Sequence, residues 1–255
     1  MTQVTLLSKP TVELIDKMGG DHSIVRTARV STGADESNNK TLQQLFDETD
    51  EAYALRKESQ DKKDAGLINY LMREKHGSPF EHNAMTLYVK APIFVFREFH
   101  RHRIGFSYNE MSGRYTQLLP EFWVPDEERP LINVGTSSRP EMAPGSDEQW
   151  EEVVKILGGN HQMAWDNYQK LLDMGIANEV SRVGLPVGIY SQMYVTTNLR
   201  AILNFISLRT HEPEAVHVSR PQKEIEDVAR VIEGFVAEQF PIAYARYNDH
   251  GRVAP

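Results

Sequence analysis

The 255-residue sequence contains no cysteine. Disulfide bonds, thiolate metal ligands and cysteine nucleophiles are therefore excluded for this chain. It also lacks any apolar stretch that approaches the roughly 20 residues needed by a membrane-spanning helix. The first residues carry neither the basic start nor the apolar core of a secretion signal, so we expect a cytoplasmic location and no membrane partner.

Common catalytic and cofactor motifs are absent as well. The sequence has no GxSxG, P-loop, GxGxxG or HExxH pattern. His100 and His102 lie two residues apart, on different faces of a helix, and the spacing of His76 and His82 matches no common zinc pattern. We therefore predict no metal site, and any flavin or nicotinamide cofactor must bind without a Rossmann fingerprint.

The composition is that of an ordinary globular protein, with 40% hydrophobic and 25% charged residues. We predict one catalytic domain over residues 1–255. The net charge of −8 argues against general nucleic-acid binding, because that affinity comes from neutralising phosphates. A nucleotide- or RNA-binding protein that uses a local basic cluster remains the alternative from another functional class.

Hydrophobic periodicity predicts an α+β fold in which a central antiparallel or mixed sheet is flanked by long helices. A polar surface insertion with some helix is expected around residues 33–64, and an irregular loop around 125–146. The other predicted elements, in chain order, are a helix over 65–76, a strand from about 85 to Pro92, a helix from Ile93 to Arg103, a long helix opened by the capping box Ser146–Gln149 and ending near Gly175, a short helix capped by Asn178, a strand near 188–195, a helix from Asn198 to Arg209, and a final helix capped within Ser219–Gln222.

The segment from Arg101 to Tyr115 holds three arginines, a histidine, a carboxylate, two serines and an asparagine within fifteen residues, and it directly follows a strongly apolar run. Its arginines can bind phosphate bidentately, and Ser112-Gly113 adds a hydroxyl and an unhindered backbone N–H. Glu110 could accept from a ribose hydroxyl or a base N–H. The segment therefore fits an anion site on a rigid support, although a surface salt-bridge network fits the residue types equally well.

Two further clusters carry polar groups of interest. On the predicted helix 198–209, Arg200 and Asn204 share a face and Arg209 projects from the C-terminal end. Periodicity alone favours an ordinary amphipathic helix there. The other cluster is the stretch from His76 to His82, which has no metal-binding pattern.

Taken together, the three clusters resemble the flavin-dependent thymidylate synthases over most of the chain. The family signature is an Arg-His-Arg triplet followed by a serine in a pattern ending Ser-x-Arg-Tyr. Here it reads Arg101-His102-Arg103, then Ser112-Gly113-Arg114-Tyr115. Further matching segments are Val25-Arg26-x-Ala28-Arg29-Val30-Ser31, His76-x-Ser78-Pro79-Phe80-Glu81-His82, Val89-Lys90-Ala91-Pro92-Ile93-Phe94, Arg182 with Leu185-Pro186, and Asn198-x-Arg200, Asn204 and Leu208-Arg209.

The resemblance implies the fold of that family and synthesis of dTMP from dUMP. Methylenetetrahydrofolate would supply the carbon, and FAD reduced by NADPH would supply the hydride. The absence of cysteine agrees with this, because the other thymidylate synthases attack the uracil ring with a cysteine. The resemblance also implies a homotetramer whose sites are shared between subunits. Another flavin-nucleotide oxidoreductase of the same fold is the alternative within the enzymes.

Site residues follow from the resemblance by position. Arg209 would be the catalytic cation at the uracil edge, favouring the ionised N3. The nucleotide would be bound by Glu98, Arg101, Glu110, Met111, Ser112, Gly113, Arg114, Arg182 and Arg209. FAD would be bound by Ser31, His76, Ser78, Glu81, Arg101, His102, Arg103, Ile104, Glu110, Asn198, Arg200 and Asn204.

Three positions depart from the family pattern. Eight residues rather than seven separate Arg103 from Ser112, which leaves the roles of residues 104–107 open. Glu98 stands where a glutamine is common. The stretch 210–221 is longer than usual, and Arg220 falls where a flavin-contacting histidine is often found, so that His217 or His211 could replace it.

Overall fold

The structure is a computed structural model that describes residues 2–31, 33 and 50–255, with the backbone alone for residues 50–59. Residues 34–49 of the predicted insertion lie outside the described residues. The elements, in chain order, are β1 (Thr5–Leu7), β2 (Thr11–Met18), α1 (Asp21–Val30), α2 (Asp50–Arg73), β3 (Ala84–Pro92), α3 (Ile93–Phe99), β4 (Phe106–Glu110), β5 (Glu121–Trp123), β6 (Ile132–Asn133), β7 (Met142–Ala143), α4 (Asp147–Asp173), α5 (Asn178–Ser181), β8 (Tyr190–Asn198), α6 (Leu199–Arg209), α7 (Lys223–Gln239) and α8 (Pro241–Asp249). Short 3₁₀ turns cover Ser78–Glu81 and Arg182–Gly184.

The central sheet is antiparallel and has the strand order β2-β3-β8-β4. Strand β3 pairs with β8 along its whole length, from Ala84 opposite Asn198 to Pro92 opposite Tyr190. Side chains alternate across β3, so that Met85, Leu87 and Val89 are buried while the residues between them are partly exposed. This confirms the predicted α+β class with a central antiparallel sheet.

The main core lies between the buried face of this sheet and the helices α6 and α7. It includes Val195 from β8, Ile202 and Phe205 from α6, and Val228 from α7, all at most 1% exposed. Burial of each such side chain contributes roughly 1.5–3 kcal/mol. A second, smaller cluster lies beneath α4 and contains Leu118, Phe122, Trp165, Tyr168 and Ile189.

The helix predicted from Ile93 to Arg103 ends earlier, at Phe99. The following amides make tighter contacts, because His102 N donates to Phe99 O at 2.8 Å. The hydroxyl of Tyr108 on β4 then donates to the carbonyl oxygens of Phe99 and His102 at 2.8 and 2.7 Å. A side chain from the next strand thus satisfies the end of α3, so the prediction was four residues too long.

Helix starts agree with the sequence where a local cap exists. Ser146 Oγ accepts from Gln149 N at 3.3 Å, and Ser146 N donates to Gln149 Oε1 at 2.9 Å, as the capping box predicts. Asn178 is wrong as a cap, because Ala177 precedes the first helical residue. The final helix starts at the end of the predicted segment 219–222, with Gln222 as its N-cap residue, but no side chain caps it, and Ser219 Oγ donates to Leu208 O instead.

Two predictions shift in extent. The strand predicted near 188–195 runs from Tyr190 to Asn198, because its pairing with β3 continues up to the residue that caps α6. The segment 125–146 is not wholly irregular, since β6 and β7 pair within it. Asn133 Oδ1 accepts from Gly135 N and Glu141 N and closes that hairpin.

In the parts of the chain that the structure describes, no helix combines the length and apolarity needed to cross a membrane.

Candidate active site

The first candidate site is a cavity of about 200 Å³, here called the Glu110 pocket. It brings together Glu110, Met111, Gly113 and Arg182, four residues that the resemblance assigns to the nucleotide. The remaining lining residues are Ile93, Arg97, Leu118, Val183, Leu185, Pro186, Val187, Ile189 and Ser191. The pocket therefore combines an apolar wall with two guanidinium groups and one carboxylate.

The carboxylate of Glu110 is fixed in this pocket by the buried Ser191, whose Oγ donates to Glu110 Oε1 at 2.8 Å. The other carboxylate oxygen stays available to accept from a ligand. Gly113 is buried, and a Cβ at this position would lie 3.2 Å from Arg182 Cδ. The side chain of Arg182 therefore passes close over the backbone of Gly113, and a Cβ there would require Arg182 to shift by a few tenths of an ångström.

Arg114 is not among the residues that line the Glu110 pocket. Its Nε lies 3.0 Å from Glu179 Oε2, and both side chains are about half exposed. Its backbone N–H donates to Ser112 Oγ at 3.3 Å, within the turn that follows β4. The proposed phosphate role of Arg114 thus stays a prediction, and in this structure its guanidinium is paired with a carboxylate.

The second candidate site surrounds Arg209 at the C-terminal end of α6. Arg209 Nη1 donates to Glu98 Oε2 at 2.6 Å, and Nη2 donates to the Glu98 carbonyl at 3.3 Å. Arg209 Nε donates to His102 Nε2 at 3.1 Å. Glu98 and His102 therefore fix the orientation of the Arg209 guanidinium through three hydrogen bonds. Both belong to the site residues implied by the family resemblance.

The neighbours of Arg209 have shifted pKa values. Burial lowers the pKa of His102 to about 4, and the cations of Arg209 and Arg101 act in the same direction. His102 is therefore neutral at pH 7, with Nε2 accepting from Arg209 and the proton on Nδ1. Burial raises the pKa of Glu98, while Arg209 lowers it and Glu224 raises it further. The site thus contains a permanent cation between a neutral imidazole and a carboxylate.

We expect the buried neutral His102 to make stability depend on pH. Its folded pKa of about 4 lies below the ordinary value of 6.5, so the unfolded chain takes up the proton first as pH falls. The stabilisation is present above pH 6.5 and is lost down to pH 4, at about 1.4 kcal/mol per unit of pKa difference.

The measurement is the free energy of urea unfolding of the wild type and of His102→Gln between pH 7 and pH 4. The variant removes the titrating ring, so the advantage of the wild type should shrink as pH falls. A difference between the two proteins that stays constant across this range would contradict the assigned protonation state.

The third candidate site lies where α6 begins. Arg200 Nη1 donates to Glu81 Oε1 at 2.6 Å, and Arg200 Nε donates to Pro255 O at 2.6 Å. A Cβ on Gly77 would lie 2.5 Å from the Arg200 guanidinium, so the arginine packs directly on the Gly77 backbone. His76 and Ser78 flank Gly77 and are exposed. The structure therefore brings four of the residues implied for FAD close to one another.

The other residues implied for FAD are distributed around these sites. Asn198 caps α6 through Ala201 N at 2.9 Å, and its backbone N–H donates to Gly105 O. Gly105 has a φ of +75°, a conformation that favours glycine, and it places Ile104 at 92% exposure. Four more of the residues implied for FAD are exposed: Ser31 at the end of α1, Arg101, Arg103 and Asn204. The hydroxyl of Ser31 donates to Ala28 O in the last turn of α1, at 2.8 Å.

A larger groove of about 890 Å³ lies between the β6–β7 hairpin and the start of α7. His211 and Arg220 line it, whereas His217 is exposed and does not. Of the three residues considered for flavin contact at this stretch, two therefore share one groove. Among the described residues, no group of three or more histidine and carboxylate side chains is arranged to hold a metal ion.

Two pocket residues were missed by sequence reasoning. Ser191 could not have been found, because its link to Glu110 joins residues 81 positions apart. Arg97 could have been found from its spacing, because it lies four residues after Ile93 and four before Arg101, on the same face of the predicted helix as Arg101.

Comparison with known proteins gives a consistent result. The family described as Thymidylate synthase complementing protein matches residues 13–242. A flavin-dependent thymidylate synthase from Streptomyces avermitilis is 44% identical over 248 residues, covering 97% of this chain and 94% of the relative. The enzyme of the same name from Tropheryma whipplei strain TW08/27 is 43% identical, covering 98% and 96%.

Solved structures agree with these relatives. The crystal structure of a UMP/dUMP methylase, PolB from Streptomyces cacaoi, bound with 5-Br UMP, has a TM-score of 0.86 and 40% identity and covers 100% of both chains. The same methylase bound with 5-Br dUMP has a TM-score of 0.85 and 42% identity, covering 99% of this chain and 100% of that chain. The chain belongs to the flavin-dependent thymidylate synthase family.

Proposed function

We propose that this chain makes dTMP from dUMP, with methylenetetrahydrofolate as carbon donor and FAD reduced by NADPH as hydride source. The observation that carries the proposal is the fixed guanidinium of Arg209, held by Glu98 and His102 in a chain that has no cysteine. The family relationship over nearly the whole chain supports it.

Arg209 would supply the activation that a cysteine supplies elsewhere. A cation at the uracil edge favours the ionised N3 and raises the electron density at the carbon to be alkylated. Because Glu98 and His102 already orient the guanidinium, little reorganisation is needed when the nucleotide binds. The Glu110 pocket would take the sugar-phosphate end, where Glu110 can accept from a ribose hydroxyl and Gly113 and Arg182 can donate to phosphate.

The residues around Gly77 fit a flavin nucleotide. The backbone of Gly77 is a surface that a side chain would fill, and Arg200 retains N–H donors beyond the two used for Glu81 and Pro255. We assign FAD to this surface together with Asn198 and the exposed turn 103–105. When bound, the reduced flavin supplies the hydride that converts the transferred carbon into a methyl group.

The proposal predicts that dTMP forms from dUMP only when flavin, NADPH and methylenetetrahydrofolate are all present. Purified protein is loaded with FAD, and product is followed by chromatography with each component omitted in turn. Formation of dTMP without flavin, or no dTMP under any condition, would contradict the proposed function. Flavin binding with no dTMP would instead favour another flavin-nucleotide oxidoreductase.

UMP is a second candidate substrate, because the solved relative is a UMP/dUMP methylase that covers this chain from end to end. The same assay with UMP in place of dUMP tests it. Comparable kcat/KM for the two nucleotides would support dual use, and a preference above about 100-fold for dUMP, near 2.7 kcal/mol, would rule it out in practice.

We further propose that residues 1–255 act as one catalytic domain within a cytoplasmic homotetramer whose sites are shared between subunits. The colour of the purified protein separates this family role from that of a nucleotide- or RNA-binding module. A flavoprotein is yellow, and a nucleic-acid-binding module with no flavin is colourless.

A further inference from the structure

Two arginines of the Glu110 pocket, Arg97 and Arg182, have no hydrogen-bond or ion-pair partner among the residues whose side chains the structure describes. Neither donates a hydrogen bond or forms an ion pair to any residue that the structure describes, although both line the cavity. Three other arginines of the candidate sites each contact a carboxylate: Arg114 with Glu179, Arg200 with Glu81, and Arg209 with Glu98. The pocket therefore contains two cations that form no ion pair with any carboxylate of the described residues.

Arg97 stands on a rigid support. Its helix α3 is joined to the far wall of the pocket, because Ile93 N donates to Ile189 O at 3.0 Å and Phe94 N donates to Val187 O at 3.1 Å. Phe96, next to Arg97, is 1% exposed and anchors the helix in the main core. Ile93 and Arg97 are four residues apart and line the same cavity, whereas Glu98 faces Arg209 on another side of the helix.

Arg182 reaches the pocket from a separate element, the 3₁₀ turn after α5. Its side chain passes over the Gly113 backbone, as the short distance to a Cβ there indicates. The pocket's carboxylate forms no contact ion pair with either arginine, and Ser191 Oγ donates to one of its oxygens. The two arginines thus line one small cavity from two separate elements.

A phosphate dianion satisfies this arrangement better than any other common ligand group. Two like charges lining one cavity repel each other, and a dianion between them reverses the sign of that interaction. Each guanidinium presents a planar fork of N–H donors that matches phosphate oxygens bidentately. The cavity of about 200 Å³ is too small for a whole nucleotide and suits one end of it.

We propose that Arg97 binds the 5′-phosphate of the nucleotide substrate together with Arg182. The inference rests on the proposed function and extends it, because the family resemblance gave Arg97 no role. Arg97 and Arg182 both line the pocket, whereas Arg114 does not line it and is paired with Glu179.

The test compares nucleotides with and without the phosphate. Binding of dUMP and of deoxyuridine to FAD-loaded protein is measured by calorimetry for the wild type, Arg97→Gln and Arg97→Lys. Loss of one exposed, charge-assisted contact weakens dUMP binding roughly 10-fold, while deoxyuridine binding is unchanged. Arg97→Lys keeps the charge without the fork and should fall between the two. Arg73→Gln, which removes an exposed arginine outside the pocket, should match the wild type.

The outcomes separate this inference from the proposed function. Inorganic phosphate serves as a probe that requires no turnover, and it should bind more weakly to Arg97→Gln than to the wild type. If the wild type makes no dTMP but this phosphate difference persists, the function fails and the anion site stands. The inference is overturned if Arg97→Gln binds dUMP like the wild type, or if it loses dUMP and deoxyuridine equally. If Arg97→Gln does not fold, the same comparison on Arg97→Lys decides.

Discussion

Replacing Arg209 by glutamine is expected to lower kcat for dTMP formation at least about 100-fold while flavin content stays at the wild-type level. Removal of one preorganised charge from a reaction site has effects of this size, because no solvent group replaces it in the correct place. Arg209 is held by contacts of 2.6 Å to Glu98 and 3.1 Å to His102. Steady-state turnover and the flavin absorbance of the purified variant provide the measurement.

A loss of stability must be separated from this loss of catalysis. Glu98 is about one-quarter exposed, and without Arg209 its carboxylate is left without a cation, at a cost of roughly 1–3 kcal/mol. The double variant Arg209→Gln with Glu98→Gln removes both charges. It should regain unfolding free energy without regaining turnover, which a double-mutant cycle resolves.

Glu98→Gln alone is the matched control. Its amide oxygen can still accept from Arg209. Its kcat should therefore stay within about 10-fold of the wild type, because the guanidinium keeps its orientation. Full turnover by Arg209→Gln, or an equal loss in Glu98→Gln, would remove Arg209 from the catalytic role.

Local chemistry explains the parts of the fold that were predictable from sequence. The capping box at Ser146 joins residues three apart, and Asn198 caps α6 through Ala201, also three apart. The alternation of apolar with polar or smaller residues along β3 identifies its buried and its partly exposed face directly. In each case the residues that determine the structure are neighbours in the chain, so their pattern is readable without the fold.

Contacts between distant residues explain the parts that were not predictable. The end of α3 depends on Tyr108, which lies on a strand that pairs only after the chain has turned. The partner of Arg114 is 65 residues away and the partner of Arg209 is 111 residues away. Motifs supplied the residue types of the candidate sites. Which arginines have carboxylate partners, and which remain open for an anion, became visible only in the folded chain.

Replacing Arg200 by alanine is expected to weaken flavin binding by up to about 100-fold, because charge-assisted hydrogen bonds contribute roughly 1.5–3 kcal/mol each. Arg200 is anchored at 2.6 Å to both Glu81 and Pro255 O, and its remaining donors lie above Gly77. Titration of the stripped protein with FAD, followed by flavin fluorescence, measures the effect. Turnover should return when FAD is raised above the new Kd.

Two further variants test whether the surface around Arg200 binds flavin. Gly77→Ala leaves every charge in place but puts a methyl group 2.5 Å from the guanidinium, so it should weaken FAD binding in the same direction. Arg73→Ala removes an arginine of similar exposure, 55% against 46%, that is paired with Glu74, and FAD binding should be unchanged. Wild-type FAD affinity in Arg200→Ala, or the same loss in Arg73→Ala, would contradict a flavin site on this surface. Arg200 and Arg209 lie at opposite ends of α6. We expect Arg200→Ala to lose flavin, and Arg209→Gln to lose turnover while it retains flavin. This pair of results would assign separate functions to the two ends of one helix.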